Sequence, residues 1–291
     1  PKVWTVVGQI LLPTGTGTFD STDVRLSSVQ YVGSTFYLYY TGYNADFALG
    51  KIGLATATVA AGPWTRHASN PILTGTGQGR NDGTGVSELS VLAESATVWS
   101  ALYAYRGAEV LPGLRAATST DGITWTKAGA GDVITKSPLF IEYHQLLKIG
   151  GLYVVFYEMG NTTNRFRINV ATSSTLTGQF TDFAGNPILA GSTITGTWDR
   201  WHVATPDYVE IPANSGQYYH YYAGAGTHEQ PYSTNTWPMG VAVYPAPSAP
   251  GAMLWEDGDK MLWEDGDVML WESDPSPAGS KPFGLGLLGI G

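Results

Sequence analysis

The chain has no cysteine. Disulfides and thiolate metal sites are therefore excluded, and the redox compartment is not readable. Charge is scarce. Only 13% of residues are charged, and the formal net charge is −9. A nucleic-acid surface needs a basic patch to neutralise phosphates, so this balance argues against nucleic acid as a partner. No apolar run approaches the length of a membrane span. No charged segment followed by an apolar run reads as a signal peptide. Nor does any long stretch carry the 3.6-residue apolar period of an amphipathic helix. What remains is 43% apolar and 12% aromatic residues in a chain of 291, with Gly 37 and Pro 17. That suffices for a sizeable core and many turns, so the chain reads as all-β.

The dominant positive signal is a repeat of about 60 residues, present four times. Each unit opens with a half-apolar strand: Val24–Val32, Val86–Ala93, Glu142–Ile149 and Val203–Ile211. An aromatic strand follows, at Phe36–Tyr40, Val98–Tyr105, Leu152–Tyr157 and Tyr218–Tyr222. A strand of small residues comes third, at Gly53–Thr56, Arg115–Thr118, Asn169–Thr172 and Gly240–Val243. The first three units close alike, with Trp64-Thr65 to Asn70-Pro71-Ile72-Leu73, Trp125-Thr126 to Val133-Ile134, and Phe180-Thr181 to Asn186-Pro187-Ile188-Leu189. A four-stranded unit repeated at this period is the signature of a β-propeller, in which each small sheet buries its faces against its neighbours. The segment Val3–Leu12 resembles a fourth strand standing alone. It closes either a four-bladed ring with unit four, or a fifth blade whose inner strands lie further on.

Residues 1–245 thus form the propeller. Residues 246–274 hold a linker and three near-identical octads, Ala252–Asp259, Lys260–Asp267 and Val268–Asp274, each built on Met-Leu-Trp-Glu. Asp257-Gly258 and Asp265-Gly266 predict two-residue hairpin turns. In that register Leu254 pairs with Met261 and Met261 with Leu270. Both faces of the meander are then apolar, and it must be sandwiched, either as a fifth blade or against other chains. Asp257, Asp259, Asp265 and Asp267 read as solvated loop tips, without the spacing of a calcium loop. Residues 275–291 are a Gly-rich apolar tail, expected to order only against another chain. No cofactor or metal site is expected.

The chemistry-bearing positions lie where the innermost strands begin: Leu26, Glu88, Glu142 and Thr205, with His202 beside the last. A Glu in an otherwise apolar strand is costly unless paired, hydrated or functional. The plain alternative is a hydrated Glu near a strand end. Two carboxylates from different blades facing one funnel are what glycoside hydrolysis requires, one as acid and one as base. Trp198, Trp201 and Trp237 fall in loop-like stretches and are candidates for sugar stacking. Arg165 is a candidate partner of carboxylates or substrate there. Trp99 and Trp125 read as core between blades.

The motifs Tyr37-Leu-Tyr-Tyr-Thr-Gly, Ile52-Gly-Leu-Ala-Thr-Ala, Gly62-Pro-Trp-Thr and Asn70-Pro-Ile-Leu resemble the five-bladed glycosidase propellers of families 43, 32, 62 and 130, over roughly residues 1–245. The sharpest piece, Glu142-Tyr-His-Gln-Leu-Leu-Lys, resembles the segment carrying the general acid. The resemblance implies that Glu142 is the acid, that Glu88 tunes it, and that His202 stands near the centre. Where the family places its general base, this chain reads Leu26-Ser27-Ser28, and Asp20 and Asp23 are the nearby substitutes. A base would lie about 6.5–9.5 Å from the Glu142 carboxyl in an inverting enzyme. Glu88, Glu142 and His202 are expected to converge on one end of the channel. The octads resemble tandem repeats of bacteriophage tail and other virion proteins. Together these imply a virion-borne or extracellular protein, in a larger assembly, that binds or hydrolyses host surface glycan. The competing reading is a structural virion protein with an inactive propeller.

Overall fold

The computed structural model describes residues 9–45, 49–75, 83–106, 113–129, 131–136, 139–160, 165–192, 199–210, 218–225 and 239–244, and the strand backbone of 253–256, 260–263 and 268–270. The described residues contain no α-helix. Up to Tyr244 they form four successive antiparallel sheets. The first holds β1 (Asp23–Val32), β2 (Thr35–Tyr43), β3 (Lys51–Ala57) and β4 (Thr65–Arg66). The second holds β5 (Gly85–Ser95), β6 (Val98–Arg106), β7 (Gly113–Ser119) and β8 (Thr126–Ala128), with β9 (Ile134–Thr135) also on β7. The third holds β10 (Phe140–Ile149), β11 (Leu152–Gly160), β12 (Arg167–Ser173) and β13 (Thr181–Asp182), and the fourth β14 (His202–Glu210), β15 (Tyr218–Ala225) and β16 (Met239–Tyr244). These are propeller blades, each wound as a meander from its innermost strand outward.

Strand alternation decides which blade each side chain serves. In β2 and β3, Tyr39, Ile52 and Leu54 face the second blade, where they meet Val86, Leu89, Val91, Trp99 and Trp125. Their neighbours Leu38, Tyr40 and Ala55 face the other way. Leu102, Leu114 and Ala116 then pack on Ile141, Leu146, Val155 and Tyr157 of the third blade. Val154, Phe156 and Val170 pack on Val203, Tyr208 and Tyr222 of the fourth. The core is therefore not one centre but three layers, one at each interface between consecutive blades.

The innermost strands are joined by side chains rather than by a backbone ladder. Gln30 of β1 donates from Nε2 to Val91 O at 2.7 Å and accepts from Ala93 N at 3.2 Å. Ser28 donates to Leu89 O and accepts from Val91 N. Ser90 of β5 accepts from Leu146 N at 2.8 Å. Gln145 of β10 donates to Tyr208 O at 2.8 Å and accepts from Tyr208 N at 2.5 Å. A side-chain amide offers the same donor and acceptor as a peptide unit. It satisfies a strand edge that would otherwise be buried without partners.

The outer edges are closed by less regular strand than the repeat predicts. In the first blade, β4 spans two residues, and Leu73 bridges Ile52 further along. Between them the Asn70 amide accepts from Leu54 N and donates to Leu54 O, both at 2.9 Å. Asn186 does the same to Val170. The Asn-Pro-Ile-Leu motif is thus an edge closure in which an amide side chain replaces strand backbone.

Two further expectations meet the structure here. Residues 9–12 form no strand, but Ile10 and Leu11 pack on the Leu38–Tyr40–Ala55 face of the first blade, the face turned away from the second. The octads do form a three-stranded antiparallel sheet, β17 (Met253–Glu256), β18 (Lys260–Trp263) and β19 (Val268–Leu270). Its register differs by one residue from that expected. Leu254 pairs with Leu262, not Met261, and Met261 pairs with Met269, not Leu270. The pairing of Glu256 with Lys260 leaves three residues between them, where a two-residue turn leaves two. The burial expected for the octads and the ordering expected for the tail concern side chains and residues outside the described ones.

Candidate functional site

Each innermost strand carries a β-bulge at the repeat-equivalent place. The registers shift between Leu26 and Ser28, Ser87 and Ser90, Ile141 and His144, and Ala204 and Asp207. A bulge re-aims the side chains beside it and recurs next to active sites. Glu88, Glu142 and Thr205 all lie within these bulges. Glu88 and Thr205 have φ of 47° and 51°. A non-glycine residue in the left-handed region is strained by about 1–3 kcal/mol and persists only where its surroundings hold it. Here the hold is explicit. Glu88 N donates to Thr41 Oγ1 at 2.9 Å, and Thr205 N donates to Glu158 Oε2 at 2.6 Å.

These contacts gather a cluster from three blades. Glu158 is 2% exposed. Burial pushes its carboxyl well above the usual carboxylate range, the Glu142 charge pushes the same way, and the Glu88 charge adds to both. The N–H groups of Thr205 and Tyr143 oppose them. Tyr143 is raised by burial and then by the charges of Glu88, Glu158 and Glu142, with Arg25 acting against them. Arg25 comes from β1. Burial works against its charge, but the Asp23 hydrogen bond and the Tyr43 and Tyr143 groups raise its pKa. The site therefore brings together Glu88, Glu142, Glu158, Tyr143 and Arg25. Glu158, Tyr143 and Arg25 were not among the sequence candidates. Glu158 had a legible signal, as a Glu inside the apolar run Leu152–Tyr157 and its flank. Among the described residues no group of three or more His, Asp or Glu is disposed to hold a metal ion.

Asp23 is half-buried, accepts from Val24 N, and pairs with Arg25 Nε at 2.9 Å. It thus reaches the cluster through Arg25. His144, buried, places a ring nitrogen 3.2 Å from Glu142 O and the other 3.1 Å from Leu102 O, so it braces the third-blade bulge. His202 opens β14, where its Nδ1 accepts from Phe166 N at 3.1 Å and its ring packs on Phe166. That bond leaves the ring hydrogen of a neutral His202 on Nε2. Arg165 lies over the Trp201 ring, 4.0 Å from its centroid, so one indole face is already covered by a cation. Trp198 and Trp237 lie outside the described residues.

Asp20 is 1% exposed and belongs to a structural device that recurs. Its carboxylate accepts from Tyr40 Oη and Arg66 Nε, each at 3.0 Å, and from Thr14. In the second blade Tyr105 donates to Asp132, which pairs with Arg115. In the third Tyr157 donates to Asp182, which pairs with Lys136. In each of these three blades a tyrosine hydroxyl is capped by a carboxylate that a cation neutralises. Burial alone would push the Asp20 carboxyl up, but Thr14, Tyr40 and the Arg66 charge outweigh it and hold it below its ordinary value. Its stabilisation is therefore full above the unfolded carboxylate value of about 3.9. It is lost as pH falls through the lower folded value. Asp20→Asn is expected to cost about 1–3 kcal/mol at neutral pH. The gap in urea midpoint from the parent chain should close in acid. Equal midpoints at neutral pH would remove Asp20 from this role.

Against this geometry the known relatives can be set. No family model matches the sequence. A protein of Aspergillus flavus named "Probable arabinan endo-1,5-alpha-L-arabinosidase A" is 30% identical over 238 residues, covering 75% of this chain and 71% of the fungal protein. The chain belongs to the family of these arabinosidases. The Aspergillus niger protein named "Probable arabinan endo-1,5-alpha-L-arabinosidase C" is 28% identical over 246 residues, with 75% of this chain and 71% of that protein covered. Among solved structures, one titled "Glycoside hydrolase" superposes with a TM-score of 0.62 at 18% identity, over 88% of this chain and 78% of its own. A thermostable family-43 glycoside hydrolase gives a TM-score of 0.57 at 16% identity, over 87% and 77%. At such identities the superpositions speak for the β-propeller fold alone. The octads' resemblance to virion proteins has no counterpart among these relatives.

Proposed function

We propose that this propeller binds polysaccharide at the bulged end of its innermost strands and hydrolyses a glycosidic bond there, with α-1,5-linked arabinan as the first substrate class to test. The observation that carries the proposal is the gathering of Glu88 and Glu142 from adjacent blades at equivalent bulges, in a chain of the arabinosidase family. Glu142 acts as the general acid on the leaving oxygen. Glu88 stands at the equivalent bulge of the neighbouring blade and orients the substrate. Asp23 is the first-blade carboxylate that serves as base, and it is oriented by its pair with Arg25. Asp20 is a structural residue in this reading. Sugars stack at the Trp201 indole, and His202 donates to a hydroxyl. A polysaccharide substrate implies action outside the producing cell.

Release of reducing sugar from arabinan and a panel of other polysaccharides tests the enzyme, and NMR of the first product reads inversion. The Leu26-Ser27-Ser28 sequence at the first bulge favours one second reading, a glycan-binding propeller without turnover. Glycan-array binding with no release from any polymer would select it.

The finer architecture is also a proposal: five blades, with the octad sheet as the fifth, between β14–β16 and β1. Supporting it, β1 leaves Leu26 49%, Val29 47% and Tyr31 60% exposed on the open side of the first blade, and Ile10 and Leu11 already line that side. A chain ending at Pro245 should then melt below the full chain. Equal melting temperatures would overturn the assignment.

A further inference from the structure

Arg25, Arg66, Arg115, Lys136 and Lys148 each pair with a carboxylate. Among the described residues, Arg165 and Arg167 pair with none. Both are half-buried and dock on backbone instead. Arg165 Nη1 donates to Arg200 O at 3.4 Å, while its guanidinium lies 4.0 Å from the Trp201 ring centroid. Arg167 Nη1 donates to Phe166 O at 2.7 Å and to Trp201 O at 3.1 Å. The two cations are thus anchored on consecutive carbonyls, those of Arg200 and Trp201. Burial first, and then the Arg165 charge, lower the Arg167 pKa to about 10, so both side chains are charged at neutral pH.

Each anchor uses Nη1 alone. The Nε–Nη2 edge of both guanidiniums takes no acceptor among the described residues. That edge is the fork that grips a carboxylate through two parallel hydrogen bonds. The carbonyls need only donors, which a neutral amide supplies. Two adjacent positive charges are more than that task requires. Their place in the sheet is also informative. Arg167 pairs with Met159, and Met159 with Ile141, the neighbour of Glu142. Two strand spacings, about 10 Å, therefore separate the Arg167 backbone from the third-blade bulge. Phe166, between the two arginines, donates its N–H to His202 Nδ1.

We infer that Arg165 and Arg167 form a subsite for the carboxylate of an acidic sugar, so that the glycan taken at this end carries uronic acid residues. The inference rests on the proposal that this end binds polysaccharide, and it narrows the substrate class. A bound carboxylate supplies the counter-charge that the described residues do not. The Nη1 anchors and the stacking on the indole hold the forks before binding, which limits the side-chain freedom lost. The acidic sugar lies beside the bulges rather than on them, where the charges of Glu88 and Glu142 would repel it.

The test is a calorimetric titration of the full chain with oligogalacturonate and with oligoglucuronate, each set against its own methyl ester. The ester keeps the sugar and removes its charge. The parent is expected to bind at least one acid about tenfold or more tightly than its ester, as a charged hydrogen-bonded pair implies. Added salt should weaken that preference. Arg167→Lys keeps the charge but loses the fork, and Arg165→Gln loses both, so the preference should shrink in each. In the parent labelled with nitrogen-15 arginine, the acid and not the ester should shift the Nε–Hε resonances of both arginines. This readout stands even if a variant fails to fold. Equal affinity for acid and ester of both sugars, unshifted Nε–Hε resonances, or a preference that survives in both variants would overturn the inference. Binding of neutral arabinan but of neither acid would remove this subsite and leave the glycan reading standing. No turnover is needed, so release of sugar from arabinan by the parent tests the hydrolase reading separately.

Discussion

Glu142→Gln should lower turnover by about a hundred- to ten-thousand-fold while leaving the fold intact. The rate figure is the usual contribution of a positioned general acid. The amide has the shape of the carboxyl but cannot deliver a proton. Stability should hold because the third-blade bulge is braced through the backbone of Glu142, whose carbonyl lies against His144, and not through its carboxyl alone. Sugar affinity should change little, since the substitution removes a proton donor rather than a binding surface. The measurement is reducing-sugar release per active chain, alongside a urea melt and a glycan-binding curve for both proteins. Unchanged release would remove Glu142 from the mechanism. A large drop in the urea midpoint would recast it as a structural residue.

Trp99→Ala should be the most damaging single change to the fold, at about 3–5 kcal/mol. Trp99 is 2% exposed and stands between the first and second blades. Its ring meets Tyr37 edge-on, with centroids 5.2 Å apart. A Cβ built on Gly122 would lie 3.0 Å from the Trp99 ring and 2.9 Å from the Tyr39 hydroxyl, so nothing nearby can move in freely to fill the space. Tyr39 in turn donates to Gly122 O at 2.8 Å, which pins that loop over the indole. Total stabilities of folded domains are about 5–15 kcal/mol, so the loss is a large share. Equilibrium urea unfolding followed by tyrosine and tryptophan emission reads it. A loss under about 1 kcal/mol would mean that the interface collapses onto the cavity, contrary to the packing described.

The repeat was legible because a blade is a local object. Its strands pair with their sequence neighbours, so the aromatic run Phe36–Tyr40 and the small-residue run Gly53–Thr56 report β2 and β3 without knowledge of anything distant. Glu88 and Glu142 stood out for the same reason, as carboxylates within apolar strands. Asp20 was misleading because its meaning is non-local. Only Arg66, 46 residues on, and Tyr40 reveal that its charge is already in use. Glu158 shows the converse. Its sequence signal resembled that of Glu88, but it lay in a second strand, where the repeat alone points to packing.

The sequence by itself determined an all-β chain of four blade-like units, because alternation and turn residues act within a few positions of one another. It also determined the repeat-equivalence of Glu88, Glu142 and Thr205. The tertiary structure decided what those equivalences do. Bulges aligned across blades turn three residues toward one place, and side chains of one blade satisfy the backbone of the next. It also decided that the outer edges of the first and third blades close through asparagine amides and that the octad register departs from that of two-residue turns. These outcomes depend on which donors and charges meet across blades, and that is set by packing in three dimensions rather than by any local pattern.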